Sequence, residues 1–302
     1  MALIGVVVGL GMPVWAADAA AVAPFPTQPY AAVKYEYRTM ADPAEQIHVA
    51  WIDLANPDVD VRVSAAGPDP DGDGPWQTML QVPTVIAARE HFELAVNGDF
   101  FAARKTVDVE GTKSGYVSGK WATVTGPSLT DGVLWAPAST ERASFWVDAR
   151  KMPHIAMVKD APAEAMQIIA GSHIIVTDGK TVVEKESSLS RTRHPRTALG
   201  IAADGHTLVL VVADGRRAGE AAGMSLTKLG DLMIKLGCKE AMNLDGGGSS
   251  EMVARDPQNG ELRVLNRPSD GRERAVANVL GVSIRGTRRA KVVTPPLADE
   301  AK

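Results

Sequence analysis

Cysteine is almost missing from this 302-residue chain, with Cys238 the single example. An intrachain disulfide framework is therefore excluded, as is any Cys-clustered zinc or iron–sulfur site, so a bound metal would need oxygen or imidazole ligands. Aromatic residues make up only 5%. That leaves little material for an extended sugar-stacking platform, and Trp76, Trp121 and Trp135 are the candidates for a small one. Positive charge is not in excess: 32 Lys plus Arg stand against 36 Asp plus Glu, giving a net charge of −4 and no electrostatic case for coating nucleic acid. After the first residues no apolar run reaches membrane-spanning length.

What is present divides the chain into four parts. Residues 1–16 carry no charged side chain and lead into Val14-Trp15-Ala16-Ala17-Asp18, the small-residue pattern of a cleaved export signal. No Lys or Arg precedes the apolar run, so a retained anchor is the alternative. Residues 17–30 are rich in Ala and Pro and read as a linker, 31–285 as the folded domain, and 286–302 as a loose tail with basic residues and Pro295-Pro296. The expected location is periplasmic or extracellular, with no membrane span once the signal is removed.

Short β-branched runs separated by Asp-Gly turns dominate the domain, the trace of antiparallel hairpins. Ile174 to Val176 and Val182-Val183 flank Asp178-Gly179, while Ala198 to Ala202 and Leu208 to Val212 flank Asp204-Gly205. Further strands are expected at 48–54, 59–64, 94–97, 133–135, 144–147 and 279–284. Helical periodicity is confined to 83–92 and 225–236, the latter with Ser225 as N-cap and Gly237 as stop. The expected class is α/β of the α+β kind, a mixed, largely antiparallel β-sheet core with flanking helices.

Each helix leads into a strand that ends in a polar, glycine-containing segment: Asn97-Gly98-Asp99, and Asn243-Leu244-Asp245-Gly246-Gly247-Gly248-Ser249-Ser250. Three successive glycines pack nothing and cost backbone entropy, so their use is a left-handed backbone or close approach to a ligand. Asn243 and Asp245 alternate onto one strand face and two hydroxyls follow the glycines, which gathers an acid, an amide and bare N–H groups at one strand end. No Lys follows, so this is not a nucleotide-binding P-loop. A second cluster is Arg193-His194-Pro195-Arg196-Thr197, entering the hairpin whose other end carries Asp214-Gly215-Arg216-Arg217. Hairpin antiparallelism brings these ends together, so Arg196 and Arg216 are expected to converge on one anion beside Asp214. His194, preceding a proline, is expected to fix local geometry.

Asn97-Gly98-Asp99-Phe100-Phe101, His194-Pro195-Arg196-Thr197-Ala198-Leu199-Gly200, Asp214-Gly215-Arg216 and Asn243 to Ser250 together resemble the signature set of the phosphodiester glycosidase domain family, in order over about residues 90–284. The family includes uncovering-type enzymes and exported bacterial proteins associated with exopolysaccharides. The resemblance implies a mixed α/β domain that cleaves a sugar-1-phosphodiester, with a sugar-phosphate or polysaccharide as partner. One departure is Asp99, at a motif place commonly held by a small residue.

Under this reading Asp245 stabilises an oxocarbenium-like transition state or activates water, and Arg196 and Arg216 hold the departing phosphate. Asp214 orients an arginine or serves as a second acid/base. Asn97 and Asn243 bond sugar hydroxyls, and the amides of Gly246, Gly247 and Gly248 hold substrate oxygens, assisted by Ser249 and Ser250. Gly98 and Thr197 join the set through their motifs. No cofactor is expected. Asp69, Asp71 and Asp73 form a possible calcium loop but lack the terminal Glu of a hand loop, which favours a plain acidic turn. The rival readings are a metal-dependent phosphodiesterase that breaks the P–O bond, a serine hydrolase on Ser249 or Ser250, and a noncatalytic glycan-binding or exopolysaccharide-assembly module. No Gly-x-Ser-x-Gly elbow surrounds those serines.

Overall fold

The segment Thr207–Ala213 shows how the layers are built. Its sequence TLVLVVA is apolar almost throughout because both faces are covered: Leu208, Leu210 and Val212 enter one core, while Val209, Val211 and Ala213 enter another. In the computed structural model, which describes residues 24–105, 115–183 and 187–287, this strand lies inside an antiparallel seven-stranded sheet. The spatial order of that sheet is Val33–Ala41, Ala44–Asp53, Thr207–Ala213, Arg196–Ala202, Cys238–Asn243, His173–Thr177 and Lys180–Thr181.

A five-stranded sheet, ordered Leu262–Val264, Met252–Arg255, Leu94–Asn97, Val279–Ile284 and Val59–Val63, packs on its inner face. A second five-stranded sheet runs Pro153–Val158, Arg142–Asp148, Ala165–Ala170, Ser128–Thr130 and Val133–Ala136. Val96, Leu280, Phe145, Ile169, Leu210 and Met242 all belong to the same core, so the three sheets close around one apolar interior. Truncating such a fully buried Leu or Phe to Ala costs roughly 2–5 kcal/mol through lost transfer energy and the cavity left behind. A small sheet of Thr78–Met79, Trp121–Val124 and Phe101–Ala103 completes the strands.

Helices are few. Leu226–Lys235 buries Leu226, Leu229 and Met233 against the outer face of the seven-stranded sheet, and Ser225 caps it by accepting the Lys228 N–H at 3.3 Å. Pro83–Glu90 covers the outer face of the first five-stranded sheet with Ile86 and Ala87, and Ser188–Arg191 is a single turn. The fold is thus more strongly β than the expected α/β label conveys, while the antiparallel core and flanking helices are as read. Asp178 and Gly179 both have positive φ (51° and 69°), the geometry a two-residue hairpin turn demands.

Residues 24–30, the last part of the expected linker, pack on the domain: Phe25 packs edge-on against Tyr35, and the Tyr30 hydroxyl donates to the Arg255 carbonyl at 2.8 Å. The expected export signal (1–16), the first part of the linker (17–23) and the tail from residue 288 lie outside the described residues. Among the described residues no helix is long and apolar enough to cross a membrane.

The arrangement matters for function because strand ends meet. Asn97, Ala170 and Asn243 end their strands, Arg196 begins one, and Asn278 immediately precedes another. The 244–251 segment crosses from the seven-stranded sheet to the first five-stranded one through this meeting point.

Candidate active site

Main-chain bonds fix the crossover on both sides. Leu244 N–H donates to the Thr197 carbonyl (2.9 Å), Asp245 N–H to Gly98 (3.1 Å) and Gly247 N–H to Pro195 (2.9 Å). Asn97, fully buried, binds the turn from below: its amide donates to the Asp245 carbonyl at 2.8 Å, and its Oδ1 accepts from the Thr197 hydroxyl (2.6 Å) and the Glu251 N–H (3.1 Å). Asn97 and Thr197 therefore build the site rather than line it. Asn243 is equally buried. Its amide donates to Ser172 Oγ at 2.9 Å, and its Oδ1 has no hydrogen-bond partner among the described residues. Ser250 Oγ is likewise without one. Such buried orphans are rare and mark functional or strained places.

The glycines serve the purposes their sequence suggests. Gly247 has φ +64°, and a Cβ added there would lie 3.0 Å from Arg216 Nη2. A Cβ on Gly248 would lie 2.0 Å from Arg274 Nη2. Two guanidinium groups thus rest directly on bare backbone. Arg216 is exposed, has a left-handed backbone (φ 59°), and its nearest polar side-chain partner is His194 Nδ1 at 3.5 Å. A non-glycine residue in that region costs about 1–2 kcal/mol and is tolerated where the surroundings require it. Arg274 is held by Asp270 at 2.7 Å.

Asp245, two residues before Gly247, is partly buried. Desolvation raises its pKa to about 6, while the Ser249 hydroxyl, the Gly246 N–H at 2.8 Å and the charge of Arg274 hold it back from rising further. The result is a carboxylate that ionises just below neutrality.

The two arginines expected to converge on one anion are held differently. Arg196 does begin the strand beside the triple-glycine turn, but it is 2% exposed and its guanidinium donates to three carbonyls: Met224 (2.9 Å), Leu189 (2.8 Å) and Thr192 (2.9 Å). It ties together main chain instead of facing an anion, and burial lowers its pKa to about 10. Asp214 is 1% exposed and accepts from Asn266 Nδ2 (2.9 Å), the Arg267 N–H (3.1 Å) and Arg217 (3.1 Å). Of the arginines nearby it bonds Arg217 rather than Arg216 or Arg196. His194 exchanges main-chain bonds with Met224, at 3.2 and 2.9 Å, in the geometric role expected of it.

Arg274, Asp270, Asn266 and Asn278 were not singled out by their residues. The signal was available in Ser269-Asp270-Gly271-Arg272-Glu273-Arg274, a polar glycine-containing cluster shortly before an apolar strand, the same grammar as the other two clusters. The Asp69 turn closes on itself, Asp69 Oδ1 accepting the N–H groups of Asp71 (3.1 Å) and Gly72 (2.9 Å). Among the described residues no group of three or more His, Cys, Asp or Glu side chains is placed to hold a metal. Trp121 lies under Arg104 and Trp135 donates to Thr130, contacts that lie away from the crossover.

The comparison with known families decides the lineage: residues 90–283, well over half the chain, match the phosphodiester glycosidase family. The chain belongs to that family. A curated relative, the SPbeta prophage-derived uncharacterized protein YomE of Bacillus subtilis (strain 168), is 40% identical over 91 residues, 30% of this chain and 13% of that protein. The chain thus spans only a small part of that relative's length. Among solved structures, the fold is similar to the zebrafish N-acetylglucosamine-1-phosphodiester alpha-N-acetylglucosaminidase catalytic domain, auto-inhibited by its pro-peptide. That match has TM-score 0.62 and 19% identity, and covers 87% of each chain. A hypothetical protein from Synechocystis matches with TM-score 0.54 and 15% identity over 84% of this chain and 62% of that one.

Proposed function

We propose that this family member hydrolyses a sugar-1-phosphodiester at the anomeric C–O bond, as an exported enzyme of envelope or exopolysaccharide glycan metabolism. The observation that carries the reading is the Asp245 carboxyl, acted on by Arg274, at the head of a turn on whose Gly247 and Gly248 two guanidinium groups are seated.

A phosphodiester leaving group departs as a weak base, so it needs charge stabilisation more than a proton. Arg216 and Arg274 supply that charge in a fixed geometry suited to phosphate oxygens. Asp245, ionised above about pH 6, faces the anomeric carbon, where it stabilises positive charge or activates water. Asn97, Thr197 and the Gly98 carbonyl hold the Asp245 backbone in place. The exported location rests on the apolar residues 1–16.

Hydrolysis of a panel of glycosyl-1-phosphodiesters in 18O-labelled water tests the proposal. Label on the sugar is the expected result. Label on phosphate, or turnover abolished by a chelator, supports a metal-dependent phosphodiesterase. Glycan binding without turnover, indifferent to Asp245→Asn, supports a noncatalytic module.

A further inference from the structure

The proposed reaction leaves one carboxyl at the site unexplained. Asp99 is 2% exposed, and among the described residues no arginine or lysine forms an ion pair with it. Its Oδ1 accepts the Ala170 N–H at 2.6 Å, its Oδ2 accepts from the Ser128 hydroxyl and the Asn278 amide, and its own N–H donates to Asn278 Oδ1 at 2.9 Å. Burying a carboxylate without a cation costs several kcal/mol unless hydrogen bonds compensate. Packing alone does not account for an acid here, at a place where the motif it resembles commonly has a small residue.

The donors identify the purpose. Ser128 opens one strand, Ala170 ends another and Asn278 precedes a third, so Asp99 gathers two sheets at the strand ends that form the site. Asn278 also receives the Gly98 N–H on its carbonyl at 3.1 Å, and the Gly98 carbonyl in turn receives the Asp245 N–H at 3.1 Å. Gly98 has no room to shift: an added Cβ would lie 2.3 Å from Asn278 Oδ1 and 2.6 Å from Ile169 Cδ1. A rigid hydrogen-bonded path therefore runs from the Asp99 carboxylate to the backbone of Asp245.

We propose that Asp99 is a positioning residue for Asp245: through Asn278 and Gly98 it fixes the Asp245 backbone and so the place of the carboxyl that backbone carries. Asp99 is faced by Ser128, Asn278, the Ala170 N–H and Asp245. Asp245 is faced by Ser249, the Gly246 N–H, Arg274 and Asp99. Burial, opposed by those hydrogen bonds, raises the Asp99 pKa to about 7, with the Asp245 charge adding to the rise, so the two carboxyls titrate as a coupled pair. The catalytic consequence rests on the reading of Asp245 as the reacting carboxylate, whereas the structural one does not.

The test compares the wild-type protein with Asp99→Asn, and with Asp99→Ala should the amide variant fail to fold. Amide NMR follows the Gly98 and Asp245 N–H groups, and kcat and KM are measured on a glycosyl-1-phosphodiester. The expected result is displacement of both amide resonances in the variant, because the hydrogen-bonded path through Asn278 has lost its anchoring carboxyl. With it comes a fall of about tenfold in kcat with KM within about twofold, the mark of a displaced reacting group in an intact binding site. Gly98 and Asp245 amide resonances unmoved in a folded variant, or a raised KM with kcat kept, overturn the inference. A wild-type protein that turns over no sugar-1-phosphodiester overturns the proposed function instead, and the NMR comparison still decides the role of Asp99.

Discussion

Replacing Gly248 with alanine separates the two-guanidinium clamp from every other account of the triple-glycine turn. Gly248 does not use a left-handed φ, so alanine adopts its backbone without strain. The new Cβ would stand 2.0 Å from Arg274 Nη2, 2.3 Å from Cζ and 2.5 Å from Asp270 Oδ1. Ordinary contact is about 3.5 Å, so the guanidinium must retreat by about 1.5 Å. A charge-assisted hydrogen bond is worth about 1.5–3 kcal/mol, and its loss to a phosphate oxygen predicts kcat/KM lower by about 10- to 150-fold. Stability should barely change. The displaced Arg274–Asp270 pair is partly exposed, with side chains at 19% and 36%, and such a pair contributes under about 1 kcal/mol. The assay is kcat/KM on a glycosyl-1-phosphodiester, with an uncharged aryl glycoside of the same sugar as control and Tm recorded alongside. A phosphodiester kcat/KM within twofold of wild type refutes the clamp, and so does an equal loss on the uncharged glycoside.

Four further outcomes are expected. Arg216→Gly removes the other guanidinium while relieving its left-handed backbone, so Tm should hold or rise although kcat/KM falls at least about tenfold. A fall in Tm without loss of activity contradicts this. Arg196→Ala leaves three carbonyls without their donor and should lower Tm by about 10 °C or prevent folding, whereas a raised KM at constant Tm would return Arg196 to the substrate. The acid limb of the kcat/KM profile should fall as pH drops through about 6, where Asp245 takes up its proton; a limb near pH 4 would assign the reaction to another group. Glu251, 1% exposed, has a pKa pushed to about 10 by burial and by contact with Glu273. The native state therefore keeps a proton that the unfolded chain releases near pH 4, so this group's contribution to stability declines as pH rises from there. Glu251→Gln should raise Tm at pH 8 and leave it unchanged at pH 4, and parallel Tm–pH curves for the two proteins would refute the assignment.

Periodicity and turn chemistry made much of the fold legible. Leu94–Asn97 and Val279–Ile284 have the bounds their β-branched runs suggest, and Ser225 and Gly237 flank the long helix. Pro153–Val158 (PHIAMV) and Ala165–Ala170 (AMQIIA) were not legible, because Ala, Met and Pro carry little strand signal and only cross-strand pairing makes them strands. At the site, motif spacing revealed which strand ends meet but not which way a long side chain turns. Arg196 and Arg216 look equivalent in sequence, yet one enters the interior to grip carbonyls and the other lies over bare backbone. That choice depends on Leu189, Thr192 and Met224, whose carbonyls are placed by tertiary structure alone. Arg274 escaped notice because no single residue in its segment is unusual.

Val279–Ile284 occupies an inner place in its sheet, hydrogen-bonded to Leu94–Asn97 on one side and to Val59–Val63 on the other. As the polypeptide is synthesised, those two strands emerge long before the strand that joins them, and each carries an open, apolar edge until it arrives. A product truncated ahead of Asn278 would keep both edges bare and would lack the Asn278 link to Asp99 and Gly98. Completion of the candidate site and protection from aggregation are therefore acquired in the same late step of folding.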